Sequence, residues 1–191
     1  MIGQIRPLGQ RSSVESWQAF GLHAFGLVAS AGLLGLGLGC LGRVIKIASG
    51  GIPLATPLGA VLLALALAET TVASGKLTLI HRQTPRTPRD LFGLRWAAFF
   101  WGVDLGQGWT THVQSAAYYG TALFAFSAGS VRLGIALLMA YGAARAAPVG
   151  IALVAPARFN VPEFLDHIAP SSATFSCIVL ACVAGLMLAG S

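Results

Sequence analysis

Charge is what this chain has least of. Only 9% of its 191 residues are Asp, Glu, Lys or Arg, where a soluble domain carries about 25%. Acidic residues are scarcest, six against twelve Lys and Arg, and this deficit excludes a solvated globular surface. Cysteine is nearly absent as well. Cys40, Cys177 and Cys182 form no CxxC pair, so spacing gives neither a zinc site nor a redox dithiol, and buried free thiols are the plain reading. The alternating ten-residue pattern of a membrane barrel is missing. So are a phosphate-cradling glycine loop, a nucleophile–base pair and a metalloprotease helix. The net charge of +6 is not a nucleic-acid signature, because the cations punctuate loops instead of clustering with aromatics on a soluble face.

Apolar length is what the chain does have. Hydrophobic residues make up 55% of it, mean hydropathy is +0.76, and several apolar runs approach 20 residues. These features predict an all-α, polytopic helical membrane protein that is a single integral domain. A basic tail, residues 1–16, ends in the capping-box pattern Ser12–Glu15. Spans are expected at about 17–41, 54–74, 91–127, 131–155 and 172–189, with Trp17 at an interface and no cleavable signal. In the first span Ala31, Gly35 and Gly39 make a small-xxx-small ladder for close helix packing.

The third stretch, 91–127, is too long for one straight crossing at 1.5 Å per residue. It is therefore expected to be kinked, partly re-entrant or preceded by an interfacial turn. It also carries Asp104, Gln107, Thr110, Thr111, His112, Gln114 and Ser115 near mid-depth. Unpaired, each such group costs several kcal/mol, very roughly, in hydrocarbon, so the stretch must face protein, water or a bound group. Read as one continuous helix, it places Asp104, Gly108, Thr111, Ser115 and Ala122 on one face.

The basic loop between Lys76 and Asp90 belongs in the cytoplasm by the positive-inside rule. With five crossings the N-terminus is also inside. Arg6, Arg11, Lys76, Arg82, Arg86, Arg89, Arg95 and Arg158 then lie inside, and Arg43, Lys46 and Arg132 outside. Arg145 falls near the centre of the fourth span, where an arginine costs about 2.5–3.5 kcal/mol on insertion scales. Its depth matches that of Asp104, which predicts an ion pair across the third and fourth spans, fixing register or lining a polar cavity. Glu69, seven residues before Lys76, either snorkels or lies on an ion path. His167, in the loop after the fourth span, reads as solvated.

The runs GWTTH, Gly108 to His112, and AYGAARAAP, Ala140 to Pro148, resemble motifs of the CcdA/DsbD transmembrane thiol–disulfide transporters over roughly Arg89 to Ala155. That family has a motif like GWTPC on a glycine-rich helix, followed by one like AYGLGRALP, and typically six spans. The resemblance implies the scaffold. His112 stands where the family has its redox cysteine and Thr111 where it has proline, and a histidine forms no mixed disulfide.

Three functions follow as expectations. One is a non-catalytic membrane subunit packed against other membrane chains and lipid. Another is a cofactor-binding subunit of an electron-transfer complex, in which His112, alone or with His23, ligates a haem or chlorophyll-type metal. The last is a transporter of reducing equivalents or a small ion, using Asp104, Glu69 and Arg145.

Overall fold

The computed structural model describes residues 14–50, 55–71, 87–107, 117–154, 163, 178–185 and 187–188. Among them the chain is all-helical: α1 (Val14–Ala48), α2 (Ala55–Thr71), α3 (Thr87–Gln107), α4 (Ala117–Ala128) and α5 (Val131–Val154), with further helix at residues 178–185 and 187–188. Two of these helices, α1 and α5, are long and apolar enough to cross a membrane.

Helix α1 begins inside the expected tail and outruns the expected span at both ends. Arg43 and Lys46 do not stop it; a cation in the last turn favours the negative end of the helix dipole, and Lys46 occupies that turn. Its 35 residues make a rod about 52 Å long. Helices α3, α4 and α5 pack along this rod.

Glycine sets the distances. A side-chain carbon at Gly35 would overlap the backbone of Gly134, and one at Gly39 would reach 2.8 Å from Val131 Cα. Gly142 lies against Leu27 and Ala31, and Gly150 against Phe20. Numbers that fall on α1 as they rise on α5 make the pair antiparallel. Helix α3 instead runs parallel to α1, since Gly26 abuts Phe99, Gly102 abuts His23 and Leu27, and Gly106 abuts Leu27 and Ser30. Further along α1, Gly42 meets the Phe126 carbonyl at the end of α4. Helices α3 and α4 therefore follow one another along the same side of α1.

The described parts of 91–127 are thus two helices and not one straight run, the arrangement on which a single polar face is conditional. Gln107 ends α3 and Ala117 opens α4. A straight helix would hold Gln107 and Tyr118 about 16 Å apart, yet the Tyr118 hydroxyl donates to the Gln107 carbonyl at 2.5 Å. The first part of the stretch is bent too. Gly93 has φ 73° and ψ 173° inside α3, a left-handed conformation that a side chain would strain. Among the described residues α2 covers Ala55–Thr71 and α5 covers Val131–Val154. The last expected span is described only over 178–185 and 187–188, where Leu180, Ala184 and Met187 pack on Leu62 of α2.

Candidate functional site at the broken helix

A helix end leaves its last four carbonyls without intrahelical donors. In the middle of an apolar bundle water cannot serve them, so other side chains must. Two of the α3 carbonyls have such partners. Arg145 Nη1 of α5 donates to the Leu105 carbonyl at 3.0 Å, and Tyr118 of α4 holds Gln107. The guanidinium also meets the negative end of the α3 dipole, an attraction that weakens within about one turn of the terminus.

Aromatic rings close this site. Arg145 Cζ lies 5.9 Å from the centroid of Tyr141, one turn earlier on α5, within cation–π range. The Tyr141 ring is 5.2 Å from Tyr118, which in turn stands 5.6 Å from Tyr119. Tyr118 is buried, whereas Tyr119 and Tyr141 are half-buried. The Tyr119 hydroxyl is buried without a hydrogen-bond partner among the described residues.

The sequence candidates distribute unevenly around this centre. Asp104 is half-buried on α3, one residue before the carbonyl that Arg145 holds, and it has interactions of its own. Gln107 enters through its backbone. Thr111, His112 and Ser115 lie outside the described residues, and Glu69 belongs to α2 with its side chain outside them. Ala31, Gly35 and Gly39 are buried where α1 meets α5. His23 is 1% exposed between α1 and α3. Its Nδ1 donates to the Ala98 carbonyl at 3.2 Å, which fixes the tautomer and leaves Nε2 as the ring acceptor.

Tyr118 and Tyr141 are functional neighbours that the motif reading passed over. Their signal was available: tyrosine concentrates at membrane interfaces, so tyrosines in the middle of apolar runs want hydrogen-bond partners.

Chemically the site offers a fixed cation, phenol groups, a carboxylate and backbone carbonyls. It can hold a hydrogen-bonding or charged group. No cluster of three or more His, Cys, Asp or Glu suited to a metal occurs among the described residues. No family model matches the chain, and neither a curated protein nor a solved structure matches it.

Proposed function

We propose that the chain is a multi-pass integral membrane protein of five crossings, N-terminus inside, and that it acts as a non-catalytic subunit of a membrane complex. In this reading α3 and α4 together make the third crossing. One observation supports a fixed scaffold more than a moving carrier: the chain's own Arg145 and Tyr118 already hold the broken end of α3. The CcdA/DsbD-like order of motifs fits such a scaffold, and the histidine at position 112 fits the loss of thiol chemistry. Irregular backbone at membrane depth is tolerated where protein buries it or water fills a cavity, and these contacts supply burial. Asp104 is then the Arg145 counter-charge beside the α3 end.

A second reading draws on the Tyr119 hydroxyl, buried without a partner among the described residues. A bound polar group would satisfy it, and a cofactor ligated by His112 is the form that the sequence favours. Transport of a small ion through Asp104 is a weaker fit to a break held shut by the chain's own side chains.

Gentle solubilisation followed by a visible spectrum and a count of co-purifying chains separates these readings. The subunit reading expects a colourless sample with stoichiometric partners. Absorption bands lost in His112→Ala would overturn it in favour of the cofactor. A colourless chain that purifies alone and carries an Asp104-dependent ion flux in vesicles would overturn both.

A further inference from the structure

Arg43, Lys46 and Arg132 are the three cations that five crossings leave on the outer side, where the positive-inside rule gives no reason for them. The fold brings all three to one turn. Gly129, at φ 59°, reverses the chain between α4 and α5, and its backbone lies against Arg43 Cα. Gly39 and Gly42 of α1 face the same turn. Lys46 lies seven residues beyond Gly39, two turns further along the same side of the helix. Arg132 follows from the other strand of the turn, in the first turn of α5.

That position is electrostatically unfavourable by itself. The N-terminus of a helix carries about half a positive charge and disfavours cations. Ser130 caps α5, its hydroxyl accepting from Leu133 N at 3.4 Å, so it neutralises nothing. No acidic residue occurs in 39–50 or 126–134. Glu15, on the same rod as Arg43, is about 42 Å away along it. Asp104 is level with Leu27 to Ala31, to judge from Gly106 against those residues. The three side chains are exposed and have no partner among the described residues. Toward the membrane interior on the same side as Arg43, α1 exposes Leu36 and Leu33, a surface for acyl chains directly beneath one for an anion.

We infer that this turn is a binding site for the headgroup of an anionic phospholipid, its phosphate held by Arg43, Lys46 and Arg132 and its chains lying on Leu36 and Leu33. The inference rests on the membrane reading above. The lipid supplies the counter-charge that the chain omits, at a boundary where the dipole of α5 adds to the three side-chain charges.

The test uses the full chain, delipidated in detergent and incubated with equal amounts of phosphatidylglycerol and phosphatidylcholine, with the retained lipid then quantified. Wild type should retain phosphatidylglycerol preferentially. Each of Arg43→Gln, Lys46→Gln and Arg132→Gln should lower that preference about fivefold, and the triple variant should abolish it. Arg95→Gln, on another element, should keep it. Arg43→Lys with Arg132→Lys should also keep it, showing that charge and not folding is read. Equal retention of both lipids by the wild type would overturn the site. So would displacement of the lipid by millimolar inorganic phosphate, which would make it a site for a soluble anion. Failure of the membrane reading has a different signature: a chain that stays soluble without detergent and does not float with vesicles of either lipid.

Discussion

Arg145 enters the balance of stability twice, with the same sign. In an inserted but unpacked α5 its charge meets hydrocarbon at a cost of about 2.5–3.5 kcal/mol, and packing relieves that cost. In the packed bundle it serves the Leu105 carbonyl, a hydrogen bond of the charged kind, about 1.5–3 kcal/mol. Arg145→Ala removes both incentives to pack. It should lower stability against denaturing detergent by at least that hydrogen-bond term, while easing insertion of α5; Arg145→Lys should recover part of the loss. Tyr118→Phe should cost about 1 kcal/mol by freeing the Gln107 carbonyl. Tyr119→Phe should be neutral or slightly stabilising, because the hydroxyl it deletes has no partner among the described residues. Melting the three variants side by side checks the order, and a Tyr119→Phe loss larger than that of Tyr118→Phe would contradict it.

Among elements, α1 shows how one residue type serves two ends. Gly35 and Gly42 leave room for a neighbouring backbone, whereas Gly21 and Gly37 face open space. Gly35→Ala and Gly42→Ala should therefore destabilise by about 1–3 kcal/mol through overpacking. Gly21→Ala and Gly37→Ala should gain about 0.5–1 kcal/mol from helix propensity. Unfolding titrations of these four variants should split by sign. The helical class was legible because the run from Val131 is apolar apart from Arg132 and Arg145. The end of α1 was not, since hydropathy marks where lipid stops and a helix crosses that boundary without changing its backbone. The break after Gln107 was hidden for a different reason. Its partners are Arg145, forty residues away, and Tyr118, eleven away, and local pattern carries no record of them. Polar residues in 91–127 set the stretch apart, but composition cannot tell a polar helix face from a helix end.

At the scale of the whole molecule the helix directions order the chain around one axis. Helix α1 runs one way, α3 and α4 with it, and α5 against it. On the five-crossing, N-inside topology proposed above, the Arg43–Lys46–Arg132 turn lies outside and the loop 76–90 inside. In a cysteine-free background Ser49→Cys should react with an impermeant maleimide in intact cells, whereas Thr84→Cys should react only after permeabilisation. The reverse pattern would invert the orientation; labelling of both from outside would contradict the arrangement.

The shortness of α4 has a consequence in time. Its 12 residues reach about 18 Å, well under the roughly 30 Å of a bilayer's hydrocarbon core. Alone it is a poor candidate for insertion. By the time it leaves the ribosome, however, α1 has long been made, and the Gly42 notch that receives Phe126 is ready. On the membrane reading proposed above, biogenesis of this protein is templated: the first helix must wait in the membrane, undegraded and correctly oriented, until more than eighty residues later the short one arrives to dock on it.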